Sequence, residues 1–321
     1  MQHSAQAAPD QGTVDLGSVQ RIAAFSDGAE GGNPAGVWIG AELPPEAEMQ
    51  RIAHAVGFSE TAFAAPLQSS SLASAPSDQA APLDAAAGQG AGQSAYRVRY
   101  FSPEAEVPFC GHATIALGAA LAAAHGDGVY ALTLNDARIT VEGRREERAG
   151  MALVAAALQS PPTRSRPAPP EAIHRALALF SYRAEDLDPR IPPALAHGGA
   201  DHLVLALRSR ALLQAMRYDL DAGRAFMREL GIVTVVLAWA ESDSLFHTRN
   251  PFAAGGVYED PATGAGTAAL AGYLRDLGWP HGGAIDVIQG EDMGMRSRLH
   301  AVIGDGAGSS IRVAGTARFM L

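Results

Sequence analysis

The chain has no lysine: all 24 of its Lys+Arg positions are arginine. Without lysine no Schiff base can form, so pyridoxal-phosphate and class I aldolase chemistry are excluded, and a Walker-type NTPase loses its P-loop lysine. There is one cysteine in 321 residues. That forbids an internal disulfide and fits a reducing compartment, so a cytoplasmic location is expected. No apolar run approaches about 18 residues, so no membrane span is expected. Metal signatures such as CxxC and HExxH are missing, and the ten histidines do not cluster at ligand spacing. Net charge is −10 with the arginines scattered singly, which argues against a nucleic-acid partner or a basic membrane face. What remains is an apolar chain, 47 % hydrophobic and long enough for two domains.

Residues 1–18 have neither a basic nor an apolar signal region and read as a disordered leader. Residues 68–95 are rich in Ala, Ser, Gly, Gln and Pro and read as a low-complexity insert. Elsewhere strand and helix patterns alternate without strict βαβ order, which predicts an α+β fold. "SVQRIAAFSDGAEGGNPAGVWIG" reads as strand, turn and strand, and "PPEAEMQRIAHAVGF" as a helix. A second half is expected from about Val129, with "PPTRSRPAPP" as a break and "AAGGVYEDPAT" as a loop.

Two segments echo each other. "GHATIALGAAL" begins at Gly111 and "GAGTAALAGYL" at Gly264, and both open helices too apolar to lie on a surface. A duplicated fold with one buried helix in each half would explain the echo; chance similarity of two Ala-rich helices is the alternative. Two such helix N-termini facing a cleft would bind a carboxylate, or stabilise negative charge developing beside one.

Three ionisable residues sit at element ends: Glu60 in "GFSETAF", His112 in the first turn after Gly111, and Asp260 in "VYEDPATGAG". A carboxylate held at an apolar helix end can act as a general acid or base. Equally, Glu60 could be a solvated strand start, Asp260 a turn or N-cap side chain, and His112 a capping or core residue. Cys110 could be an activated thiolate or a small buried residue. A two-thiol racemase needs a second sulfur, and the position before Gly264 is Thr263. "GAGTAA" fits a dinucleotide fingerprint but follows a loop carrying Pro261 rather than a strand.

"GGNPAGV", "GFSETAFA", "FSPEAEVPFCGHATIALGAAL", "YEDPATGAGTAAL" and "QGEDMGMRSRL", in this order, resemble the PhzF-like phenazine-biosynthesis family, whose fold is related to diaminopimelate epimerase. The resemblance runs from about Arg21 to the C-terminus, outside the insert. It implies two pseudosymmetric domains, each a mixed sheet or barrel around a central apolar helix: residues 19–128 with roughly 308–321, and residues 129–307. It implies an isomerase working without metal or organic cofactor on a small carboxylate-bearing substrate, as trans-2,3-dihydro-3-hydroxyanthranilate isomerase does, and commonly a homodimer. Glu60 would carry the proton, with His112 and Asp260 binding and polarising the substrate. Gly111 and Gly264 would supply backbone donors, and Asn33 would line the site. The family often has serine where this chain has Ala265. Two other readings stay open: a racemase or epimerase using Cys110 and Asp260, and a catalytically idle binder on the same scaffold.

Overall fold

A computed structural model describes residues 16–67, 95–148 and 151–320. Most of the leader and nearly all of the low-complexity insert lie outside the described residues.

Eight strands close a ring. β1 (Val19–Ser26) pairs antiparallel with β2 (Asn33–Ile39), which runs parallel to β3 (Thr61–Pro66). β3 pairs antiparallel with β4 (Ala95–Phe101), which also carries the short β5 (Glu106–Val107) and runs parallel to β6 (Gly128–Thr133). β7 (Arg138–Arg148) and β8 (Met151–Gln159) continue antiparallel, and the C-terminal strand β17 (Arg312–Phe319) joins β8 back to β1. Inside the ring lies α2 (Gly111–His125), buried continuously from His112 to Ala122. A helix apolar on every face can be stable only when enclosed in this way. Two glycines permit the close fit. A Cβ on Gly118 would come within 2.5 Å of Val141 Cγ2, and one on Gly143 within 2.3 Å of the Gly118 carbonyl oxygen.

The second half repeats the pattern. β10 (Ala194–His197) and β11 (Asp201–Ala206) are antiparallel, and β11 is parallel to β12 (Thr234–Ala240). β12 is antiparallel to β13 (Leu245–Phe252), and β13 is parallel to β15 (Ala284–Gln289). β15 pairs antiparallel with β16 (Ser297–Val302), which pairs with β17. β9 (Arg164–Pro167) lines β10 as β17 lines β1. The short β14 (Val257–Asp260) precedes α6 (Gly264–Leu277) as β5 precedes α2. The same sequence of parallel and antiparallel pairings around two apolar helices makes the internal echo a structural repeat.

The other helices are α1 (Glu46–Val56), α3 (Pro170–Phe180), α4 (Arg210–Gln214) and α5 (Leu220–Leu230). α1 packs on a small cluster with Phe63 and Phe101, and α3 and α5 on one around Phe180, Tyr218 and Phe226. No helix among the described residues is long and apolar enough to cross a membrane.

β6, β7 and β8 pack on α2 and extend its ring to Gln159. Two readings are corrected. The Pro-rich break contains β9, an edge strand whose Pro167 costs no ladder bond that a central strand would need. The glycine-rich stretch before α6 contains β14.

His202 on β11 is fully buried. Its Nδ1 bonds to Thr234 Oγ1 at 2.7 Å, and its Nε2 has no partner. Burial pushes its pKa down to about 4. The unfolded chain therefore binds the proton first, and folding stability attributable to the neutral ring is lost as pH falls from 6.5 toward 4. Between pH 7 and pH 5 wild type should lose about 2 kcal/mol more than His202→Gln. Urea denaturation of both proteins at the two pH values measures the difference; equal losses would refute it.

Candidate active site

Glu60 stands between the end of α1 and the start of β3. Gly57, at φ 73°, ends α1 in the left-handed conformation, and the Glu60 carbonyl accepts from the Gly36 N–H at 3.1 Å. These contacts aim the carboxylate at the first turn of α2. There His112 Nε2 lies 3.4 Å from Glu60 Oε2 and 3.3 Å from Ser59 Oγ. Both residues are largely shielded, with side-chain exposure of 8 % for His112 and 15 % for Glu60. His112 Nδ1 is 3.3 Å from Cys110 Sγ. Cys110 is the N-cap residue of α2. Tyr100 OH and Thr114 Oγ1 are 2.6 Å apart, and Thr114 Oγ1 donates to the Cys110 carbonyl at 2.7 Å, fixing this corner.

The second corner is built by β14 and α6. Asn33, buried at the start of β2, donates from Nδ2 to Asp260 Oδ1 at 2.8 Å and to the Ala262 carbonyl at 3.1 Å. One amide thus ties the first half to the second at the helix ends. Thr263 Oγ1 donates to Asp260 Oδ2 at 2.5 Å. Gln289, fully buried on β15, donates to the Asp260 carbonyl at 2.7 Å and to Thr263 Oγ1 at 2.9 Å, and accepts from the Thr263 N–H at 3.1 Å. Burial raises the Asp260 pKa to about 6; the charge of His112 opposes that rise and the charge of Glu60 adds to it. The three residues therefore share one electrostatic environment.

Phe25 sits between the corners. It is fully buried and has φ 59° at a bulge in β1, a conformation that costs a bulky residue of order 1–3 kcal/mol. A Cβ on Gly315 would come within 2.5 Å of the Phe25 ring, so that glycine makes room for it, whereas one on Gly264 would meet the ring at an ordinary contact of 3.5 Å. By helix geometry the first-turn N–H groups of α2 and α6, including those of Gly111, Gly264 and Ala265, have no partner inside their helices. Gly264 is buried and Ala265 half-buried.

Glu60, His112, Asp260, Asn33, Gly111 and Gly264 are thus gathered by the fold. Sequence alone does not mark Ser59, Thr263, Gln289 or Phe25 as functional. Ser59, Thr263 and Gln289 lie inside the family motifs, whereas Phe25 carries no signal, since its place depends on a backbone angle. Cys110 is a poor thiolate: burial pushes its thiol well above the usual range, and Glu60 adds to the shift. Its counterpart before α6 is Thr263, so sulfur stands on one side of the site alone.

Burying Asp260 carries a stability penalty. Its folded pKa lies above the ordinary 3.8, so its contribution to folding is present below pH 3.8 and is lost as pH rises through 6. At pH 8 Asp260→Asn should therefore be more stable than wild type by about 1–3 kcal/mol, with the advantage gone near pH 3. Thermal midpoints at both pH values check the sign; a destabilised variant at pH 8 would contradict it.

The profile of phenazine biosynthesis-like proteins (PhzC–PhzF) matches residues 22–321. An uncharacterized isomerase of Deinococcus radiodurans is 32 % identical over 268 residues, covering 83 % of this chain and 79 % of that protein. The trans-2,3-dihydro-3-hydroxyanthranilate isomerase of Pseudomonas aeruginosa is 29 % identical, covering 92 % of this chain and 94 % of its own. The crystal structure of a Bacillus anthracis PhzF-family protein superposes with a TM-score of 0.73 at 19 % identity, over 94 % of this chain and 96 % of that one. The chain belongs to the phenazine biosynthesis-like (PhzC–PhzF) family and is an isomerase of that family.

Proposed function

We propose that the protein is a cofactor-independent isomerase that shifts a proton between carbons beside the carboxylate of a small substrate. The carrying observation is the convergence of Glu60, His112 and Asp260 at two buried helix N-termini joined by the Asn33 amide. In this reading the substrate carboxylate accepts from the first-turn N–H groups at Gly111, Gly264 and Ala265, where the two helix dipoles favour negative charge. Glu60 takes the proton from one carbon and returns it to another on the same face. His112 and Asp260 polarise the substrate while charge builds up in the transition state. Asp260, with its raised pKa, is suited to holding a proton near neutral pH.

The substrate class follows the relatives: a cyclic, amino- and hydroxy-bearing acid such as trans-2,3-dihydro-3-hydroxyanthranilate is the first compound to try. Ala265 supplies no side-chain hydroxyl, so binding must rest more on the backbone. We further propose that the working units are residues 19–159 with 312–319, and residues 160–311, meeting at β17. A cytoplasmic homodimer completes the reading.

The test is turnover in deuterium oxide with a panel of small cyclic carboxylic acids. One atom of solvent deuterium should appear at carbon in recovered substrate or product. Binding of a panel member without any exchange would make the protein an idle binder and defeat the proposal.

A further inference from the structure

Cys110 has no part in the proton path, yet it is built into the site. It caps α2 as an extended residue, and His112 stands two positions later in the first helical turn. Thr114 bonds the Cys110 carbonyl with both its N–H, at 3.0 Å, and its hydroxyl, at 2.7 Å, so a fixed backbone aims the sulfur. Cys110 Sγ lies 3.3 Å from His112 Nδ1 and 4.0 Å from Nε2. Nε2 itself faces Glu60 Oε2 at 3.4 Å and Ser59 Oγ at 3.3 Å. Each ring nitrogen therefore has its own neighbours, sulfur at Nδ1 and oxygens at Nε2.

Those neighbours decide which nitrogen carries the proton of the neutral ring. A carboxylate oxygen only accepts, so Nε2 beside Glu60 must donate; a bare Nε2 would set its lone pair against negative charge. Neutral imidazole has one N–H, so Nδ1 is then an acceptor in need of a donor. The thiol meets that need. Burial holds Cys110 well above the usual thiol range, the negative charge of Glu60 adds to the shift, and the Ala113 N–H opposes it without making a capping bond. The sulfur thus keeps its hydrogen. Glu60, whose carboxylate comes within 4.8 Å of the sulfur, is the rival acceptor, but a proton sent there would leave Nδ1 without a donor. The second corner shows the same device: Thr263, the N-cap of α6, donates its hydroxyl proton to Asp260 Oδ2 at 2.5 Å. Each N-cap side chain serves the acid–base group of its own corner.

We propose that Cys110 is a positioning residue whose S–H, donated to His112 Nδ1, fixes the imidazole tautomer that presents N–H at Nε2 to the substrate. His112 then polarises a substrate oxygen as a donor and leaves Glu60 as the base beside it. A histidine whose far nitrogen is bonded acts with one defined nitrogen; one left free divides between two tautomers, and only one of them is useful here. The catalytic half of the proposal rests on the proposed function; the tautomer does not.

Nitrogen-15 NMR of the labelled full chain reads the tautomer without any substrate, the His112 signals being identified by their loss in His112→Gln. In the uncharged ring of wild type, Nε2 should be protonated and Nδ1 bare. In Cys110→Ala the Nδ1-protonated form should appear, its bare Nε2 accepting from the Ser59 hydroxyl. Cys110→Ser, which restores a donor of similar size, should return the wild-type pattern. Solvent-deuterium exchange should follow the tautomer, falling about tenfold in Cys110→Ala through turnover rather than affinity and recovering to within about threefold of wild type in Cys110→Ser. A protonated Nδ1 in wild type, or an unchanged tautomer in Cys110→Ala, would overturn the proposal. Equal exchange in wild type and Cys110→Ala, with the tautomer altered, would overturn its catalytic half. No exchange in any of the proteins would defeat the isomerase reading alone, since the nitrogen shifts decide the tautomer without it.

Discussion

Glu60→Gln should reduce solvent-deuterium exchange at substrate carbon by about 10²–10⁴-fold while leaving the fold in place. The substitution keeps the size of the side chain and its approach to His112, but the amide cannot accept and return a proton near neutral pH. Nothing structural depends on the charge. Glu60 is held through its backbone carbonyl, which accepts from Gly36, and its side chain contacts groups that an amide can also meet. The expected signature is therefore a fall in turnover with little change in substrate affinity, as for an interaction made in the transition state alone. Exchange at the wild-type rate would remove Glu60 from the proton path and turn attention to Asp260. If Glu60 is only a charged lining residue, Glu60→Gln should instead change affinity and spare turnover.

How much of this was legible beforehand differs by element. The two central helices could be read directly, because a helix apolar on all faces has one stable location. Their pairing was visible as the echo between Gly111 and Gly264. The path of β17 was not legible. Its alternation serves equally well in a hairpin with β16 and as the strand closing the first ring, and it does both. The packing of β6 and β7 on α2 was hidden for a related reason: they form a local hairpin that carries no mark of the helix it covers. At the site, Glu60, His112 and Asp260 stood out by their positions at element ends and through the family motifs. What sequence could not supply was the tie made by Asn33, the network through Gln289, or the nearness of Cys110 to Glu60, each of which joins residues far apart in the chain.

Arg249→Met should destabilise the protein by about 3–5 kcal/mol, and the double variant Arg249→Met/Glu259→Met should recover at least half of that loss. Arg249 on β13 and Glu259 on β14 are 9 % and 3 % exposed and bond through two arms, at 3.0 Å from Nε to Oε1 and 2.5 Å from Nη2 to Oε2. Removing the guanidinium leaves a buried carboxylate facing Asp292, whose Oδ2 lies 4.0 Å from Arg249 Nε, so two acidic groups lose one shared cation. Arg210 still neutralises Asp292 at 2.8 Å, but no other cation reaches Glu259 among the contacts of the described residues. Replacing both partners by methionine removes the stranded charge and restores apolar volume. What it cannot restore is the bond from Arg249 Nη1 to the Gln214 carbonyl at 3.0 Å, so recovery should be incomplete. Chemical denaturation of the two single variants and the double variant gives the coupling energy directly. Additive effects would show the pair to be energetically idle. Because Glu259 immediately precedes Asp260 on the same short strand, the single variant should also slow exchange, and the double variant should regain both stability and rate. Stability recovered without rate would mean that the ion pair aims Asp260 rather than merely holding β14 in place.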